Sequence, residues 1–509
     1  MKYIFSISRM WTKRLPLLLF IFCAGFAAHA QSLEDELLSS VEKTGGIYYA
    51  GAYSPVKYTA APAGYEPFYV SHYGRHGSRW LLAEREYADV LKIFEDADRA
   101  KALSAAGEEV YRKIMSICRD GAGRTGELSP RGFQQHAEIA SRMFRSFPEV
   151  FRGIKKVDAR STTVPRCMLS MTAFCDKMKA LNPEISFDFQ ANAQTSACLN
   201  FIGKSHNPSI HKAYIDWISD ENAAWRDVQK RFADAHLHPQ RLTDMLFADR
   251  TYAEKHVDGL KLMTGLFTLA SSVQNTGLDV SLYGIFEREE LYALFVYFNF
   301  TYYACYGTYP PNKSRPAYYA SVLLEDMLTL ADSAAENRAP AAHLRFGHDA
   351  SLMCLTGLLE LEGCVSQETD PLKAAERWQT FRIAPMAASL QWIFYRKKPS
   401  GDILVRILLN EREVGVPVET SMFPYYRWND LKRFYREKLE ILKETNFISK
   451  ESNSTLLEST STLLESNLTL RESTPMLLES NSTLRASTPT LLESNLTLGA
   501  STPMLLESN

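Results

Sequence analysis

The chain has 509 residues, 46% of them hydrophobic and 12% aromatic, with 57 Lys and Arg against 59 Asp and Glu and a formal net charge of -2. This composition excludes a fibrous or wholly disordered protein, and its near-neutral balance excludes a dedicated nucleic-acid binder, which carries a basic excess. An anionic ligand would have to be held by a local cluster of charge.

Residues 1–30 read as a secretory signal: Lys2, Arg9, Lys13 and Arg14 precede the apolar run Leu15 to Ala28, which ends in Ala28-His29-Ala30. The run is shorter than the roughly 20 residues that span a bilayer. The expectation is therefore cleavage near Ala30/Gln31 and a secreted or periplasmic mature chain without a stable membrane span. Lipid attachment at Cys23 is the minor alternative, because the bulky Phe20, Ile21 and Phe22 precede it. The other cysteines, 118, 167, 175, 198, 305, 354 and 364, form no CxxC pair, and buried free thiols are the expected state for most.

From residue 31 to 448 short apolar strands alternate with amphipathic helices. Strands are predicted at Pro67–His72, Lys156–Ser161, Ile185–Gln190, His343–Gly347 and Ile403–Asn410, and helices at Pro130–Phe144, Pro165–Lys179, Ala317–Ala335 and Leu352–Leu361. Ser129 before Pro130 is a helix-start signal. Residues 195–335 carry few strand signals. The pattern predicts an α/β fold: a three-layer core (about 31–190 and 336–448) with a mixed, mostly parallel sheet, interrupted by a mainly helical domain (about 195–335).

The first predicted strand runs into Tyr73-Gly74-Arg75-His76-Gly77-Ser78-Arg79. Two arginines bracketing a histidine bring two guanidinium forks, each matched to paired phosphate oxygens, around one imidazole. A neutral imidazole is a competent nucleophile for a phosphoryl group. Gly74 and Gly77 allow close backbone approach, and the turn's N–H groups are expected to add an anion nest.

These residues resemble the RHGxRxP signature of the histidine phosphatase superfamily, in its acid phosphatase and phytase branch, with Leu81 where Pro is usual. Three further segments match in order: Gly126-Glu127-Leu128-Ser129 through Gly132 and Gln135 (GxLTxxGxxQ), Arg166, Ser170 and Phe174 (RxxxSxxxF), and Gly347-His348-Asp349 after a strand. The resemblance implies His76 as nucleophile, Arg75, Arg79, Arg166 and His348 as phosphate ligands, Asp349 as proton donor, and neither metal nor other cofactor. Bound phosphate should raise the Asp349 pKa. His136-Ala137-Glu138 spells the HAE triplet that replaces HD in multiple inositol polyphosphate phosphatases, but it falls mid-helix and is read as an ordinary helix face. Arg160 and Arg124 are candidates for further substrate contacts, with ion pairing or solvation as the alternative.

Leu404 to Glu411, Pro424 to Trp428 and the LRFGHD context resemble the inositol polyphosphate phosphatase branch, so the implied partner is a small phosphomonoester of phytate type, or a broader range of monoesters. Two other classes stay open: a metal-dependent hydrolase using His72, His76, His343 and His348, although no HExxH spacing is present, and an inactive phosphate-ligand binding protein. From 449 to 509 the chain turns to Ser, Thr, Leu, Glu and Asn, with ESN recurring at 451, 465, 479, 493 and 507. This tail is read as low-complexity and disordered.

Overall fold

The computed structural model describes residues 32–51, 56–201, 208–220, 223–398 and 400–444. The signal segment, Cys23 and the repeat tail lie outside the described residues.

A single sheet contains eight strands: β1 (Tyr65–Arg75), β2 (Lys155–Ser161), β3 (Ile185–Gln190), β4 (Ala342–Gly347), β5 (Ser389–Lys397), β6 (Ile403–Leu409), β7 (Arg412–Glu413) and β8 (Tyr425–Arg427). Their order is β3-β2-β4-β1-β5-β6-β7, with β8 also on β6. The strands β3, β2, β4 and β1 are mutually parallel, and β5 turns the sheet antiparallel.

Both faces are covered, which makes three layers. The helices Arg315–Ala335, Asp349–Leu358 and Trp428–Glu444 pack with Tyr73, Trp392 and Phe394 on one side. On the other, Pro130–Ser146 and Pro165–Leu181 pack with Val70, Phe346, Ile393 and Tyr395. The alternation of Trp392 and Phe394 with Ile393 and Tyr395 is the period-2 output of a strand buried on both faces. A separate apolar cluster joins residues 33–48, the helices Glu84–Arg99 and Ala105–Gly121, and the helices of the long segment between β3 and β4, which contains no strand among the described residues.

Five strands and four helices fall within a few residues of their predicted limits. The β5 strand is a departure: Ser389–Tyr395 is buried throughout, so no polar alternation marks it in the sequence. All seven described cysteines are unpaired, five of them buried. No helix among the described residues is long and apolar enough to cross a membrane.

The strand order positions the site. Parallel pairing sets Arg75 opposite Gly347, so the carboxyl ends of β1 and β4 deliver the first and last motifs side by side. The helix after β2 packs on one face and the helix after β4 on the other, so both motifs meet at the strand ends where ligands usually bind in α/β sheets.

Candidate active site

His76 leaves β1 with its backbone N–H donated to the Gly347 carbonyl at 3.0 Å. Its ring Nδ1 lies 2.9 Å from the Gly77 carbonyl, an atom that only accepts, so the neutral ring carries its proton on Nδ1 and keeps a lone pair on Nε2. Burial, then the charges of Arg166, Arg75 and Arg79, hold its pKa well below the ordinary value. The imidazole is thus neutral, with one nitrogen tied back. Its ring centroid is 5.8 Å from that of His348, edge to face.

The three arginines are almost fully buried: Arg75 is 0% exposed, Arg79 2% and Arg166 6%. Arg75 is anchored through Nη1 to the backbone carbonyls of Ile47 (2.6 Å) and Ala384 (2.7 Å), while Nη2 meets Asp349 Oδ2 at 2.7 Å. Arg79 donates to the Trp80 carbonyl at 2.9 Å and lies over the Tyr48 ring. Arg166 sits in the first turn of the Pro165 helix. Burial, offset in part by Cys167, pulls its pKa down to about 10, with the charges of Arg79 and Arg75 acting in the same direction as burial. Asp349 meets this cluster of guanidiniums directly, and the partly buried carboxylate of Glu86 also faces Arg79.

His348 is the N-cap of the helix Asp349–Leu358, and its ring Nε2 lies 3.4 Å from Thr162 Oγ1 and 3.7 Å from Cys167 Sγ. Burial, followed by Arg166, lowers its pKa to about 3, so it too is neutral. Asp349 keeps 16% of its side chain exposed. Burial pushes its carboxyl up, but Arg75, Arg79 and His348 outweigh it, and the net shift is downward. In the ligand-free site the expected proton donor is therefore an ion-paired carboxylate; any raised pKa has to come from the arriving phosphate.

The anion nest expected from the turn is corrected. Its N–H groups already have protein acceptors: Gly77 N–H donates to Ser170 Oγ (3.1 Å) and Ser78 N–H to Gln135 Oε1 (2.8 Å), while Arg75 N–H is taken by the Ala388 carbonyl (2.8 Å). The motif residues Ser170 and Gln135 hold the loop, which presents side chains to a ligand. Gly132 has a steric role, since a Cβ on Gly77 would come within 2.6 Å of it. Leu81, in place of Pro, donates its N–H to Tyr87 Oη at 3.0 Å, a bond Pro could not make.

Other predicted residues are sorted as follows. Arg160 is clasped by Asp158 (2.8 and 2.9 Å) and by Asp326 (3.3 Å). Arg124 stacks on the Trp80 ring at 3.5 Å, on the loop whose Gly126 approaches Arg166. His136 is buried against Phe346, while Glu138 turns outward to Gln134 and Arg142. Of the histidines in the metal reading, His72 lies among Phe174 and Phe346, and His343 Nδ1 is 2.8 Å from Tyr69 Oη. No metal-holding group of three or more His, Cys, Asp or Glu occurs among the described residues. Sequence reasoning missed the carbonyls of Ile47 and Ala384 that anchor Arg75, because a backbone oxygen has no residue-type signature.

A family model described as the histidine phosphatase superfamily (branch 2) matches residues 74–410. No curated protein matches the chain. Among solved structures, the Bifidobacterium longum multiple inositol polyphosphate phosphatase in complex with phosphate aligns with a TM-score of 0.66 at 20% identity, over 77% of this chain and 97% of that one. Its complex with inositol hexasulfate aligns with a TM-score of 0.65 at 20% identity, over 76% and 97%. The phytase from D. castellii aligns with a TM-score of 0.55 at 14% identity, over 78% and 85%. At these identities the likeness is one of fold.

Proposed function

The chain belongs to the histidine phosphatase superfamily, branch 2, and is a histidine-type phosphatase; from that premise we propose that it is an exported phosphomonoesterase whose phosphoryl group passes through His76. The observation that carries the proposal is the neutral His76 ring, with Nδ1 tied to a carbonyl and Nε2 left as a nucleophile beside three buried guanidiniums. Nε2 bonds to phosphorus as the ester P–O bond breaks, and Asp349 gives a proton to the departing oxygen. Water then attacks the phosphohistidine, Asp349 takes its proton, and the N–P bond breaks to release phosphate. Arg75, Arg79, Arg166 and His348 stabilise charge on the transferred oxygens, the main work in phosphoryl transfer. No step calls for a metal.

Inositol polyphosphates are the proposed substrate class, in keeping with the fold shared with the Bifidobacterium longum enzyme, with Arg124, stacked on Trp80 and 3.4 Å from Glu127, as the candidate contact for a second phosphate. A broader monoester range is favoured by one observation: Arg160, the other candidate contact, is already occupied by Asp158 and Asp326. Initial rates on phytate against glycerol phosphate and an aryl phosphate separate the two. The signal-like residues 1–30 underlie the proposed export, which N-terminal sequencing of secreted protein beginning near Gln31 would establish.

His76→Ala should reduce turnover by more than about a hundredfold, at least roughly 2.7 kcal/mol of transition-state stabilisation. Acid-quenched wild-type enzyme should carry labelled phosphate on this histidine. A variant that keeps more rate than that rules out the nucleophile assignment. Activity should also persist in excess EDTA; abolition reversed by zinc would favour the metal-hydrolase reading.

A further inference from the structure

Tyr73 lies two residues before Arg75 on β1, fully buried, and its hydroxyl meets three backbone groups, the longest contact being the His348 carbonyl at 3.5 Å. It donates to the Leu199 carbonyl at 3.0 Å, at the end of the helix Ala193–Leu199, and it accepts the backbone N–H of His348 at 3.1 Å. His348 caps the helix Asp349–Leu358 without a capping side chain, at a position where backbone donors have no partner inside the helix. The hydroxyl fits because residue 347 is Gly: a Cβ built there would overlap the Tyr73 oxygen. Burial raises the phenol pKa, so the group stays protonated and keeps both roles.

The paired ladder of β1 and β4 ends at Arg75 opposite Gly347. Beyond it, two backbone N–H groups and one ion pair fix the second motif to the strand that carries the nucleophile: His76 N–H to the Gly347 carbonyl, His348 N–H to Tyr73, and Arg75 to Asp349. With the second removed, the backbone of residue 348 loses its tether to β1, and the second motif is held to that strand beyond Gly347 by the Arg75–Asp349 ion pair.

We propose that Tyr73 is a positioning residue: its hydroxyl sets the separation between His76 and the His348–Asp349 pair, and so aligns the proton donor with the leaving oxygen. The inference rests on the roles proposed above for His76 and Asp349. It makes Tyr73 dispensable for binding phosphate and for expelling a leaving group that needs no proton.

The test is Tyr73→Phe, which removes one oxygen, assayed on an alkyl phosphate and on p-nitrophenyl phosphate beside Asp349→Asn. A displaced donor should lower kcat on the alkyl ester about 10- to 100-fold, the scale of an ångström-sized misplacement, with KM little changed. On the aryl ester the loss should stay under about threefold, because general acid catalysis matters least there. Gly347→Ala, which forces the hydroxyl off His348 by a different route, should show the same split. Should only one of the two variants keep the native circular dichroism spectrum, that variant decides.

Equal losses on both esters, or near-wild-type kcat on the alkyl ester, would overturn the inference. If Asp349→Asn itself lacks the split, the donor assignment falls and this inference with it. If Asp349→Asn shows the split and Tyr73→Phe does not, the inference alone falls.

Discussion

Asp349 occupies the Arg75 fork, the group proposed to hold an incoming phosphate, at 2.7 Å. The carboxylate and an oxyanion therefore compete for one guanidinium. Groups facing Asp349 include Arg75, Arg79 and Tyr302, with His348 adjacent in the chain, so an anion entering this cluster raises the carboxyl pKa from its depressed free value. Binding thus takes up a proton, and sulfate, whose own charge is constant across this range, should bind more tightly as the pH falls from 8 to 5. In Asp349→Asn sulfate should bind more tightly than in wild type at neutral pH and lose that dependence; competitive inhibition constants across the range test both points. Asp349→Asn should also lose about 10²–10⁴ in rate on alkyl esters, the range of general acid catalysis, and far less on p-nitrophenyl phosphate. Candidate clamp residues could be named from the sequence because phosphate chemistry restricts residue type, and the structure brings Arg75, Arg79, Arg166 and His348 together around His76. The lowered Asp349 pKa could not be read there, since it follows from a distance.

At the scale of elements, the loop after β1 is held by the helices Pro130–Ser146 and Pro165–Leu181 through Gln135 and Ser170. Ser170→Ala leaves the buried Gly77 N–H without its acceptor, a cost of about 1–3 kcal/mol. Urea unfolding should register that loss, with turnover falling as the loop loosens. Gly132→Ala should be more damaging, because its Cβ would run into the Ser78 carbonyl, part of the backbone, and into Leu128. Its activity and melting temperature should both drop, while Gly153→Ala, which has open space around it, should leave activity intact despite a local cost from its positive φ.

Sequence periodicity revealed the strands that alternate or that lie between clear turn signals. It passed over β5, whose residues up to Tyr395 are all buried and whose approach through Ala384-Pro385-Met386-Ala387 resembles any apolar stretch. Tertiary burial on both faces removes the contrast that periodicity reads.

At the scale of the whole molecule, five histidines are buried among the described residues: His72, His76, His136, His343 and His348. Burial is the largest cause lowering each of them, with His72, His136 and His348 at about 3. Because their folded pKa values lie below the unfolded value near 6.5, the unfolded chain binds more protons in acid. The stability they contribute is complete above that unfolded value and is lost as the pH falls from about 6.5 toward 3, each imidazole costing up to about 1.4 kcal/mol per pH unit. The expected outcome is an acid-labile fold: denaturant midpoints should fall steeply between pH 6 and 4. His136→Phe, which replaces a buried imidazole beside Phe346, should flatten that slope. A midpoint flat to pH 4 would contradict this account.

The central place of β4 has a consequence in time. His76 and His348 come from strands that pair directly, yet the whole helical segment is synthesised between them, and β1 has both of its neighbours, β4 and β5, downstream of residue 341. Closing such a long loop is slow. While the chain emerges, β1 has neither partner strand, the Arg75 fork lacks both Asp349 and the Ala384 carbonyl, and the nucleophile has no acid beside it. A truncated chain ending before β4 should therefore show no phosphatase activity in an aryl phosphate assay, with turnover expected only once the last third of the polypeptide closes the sheet.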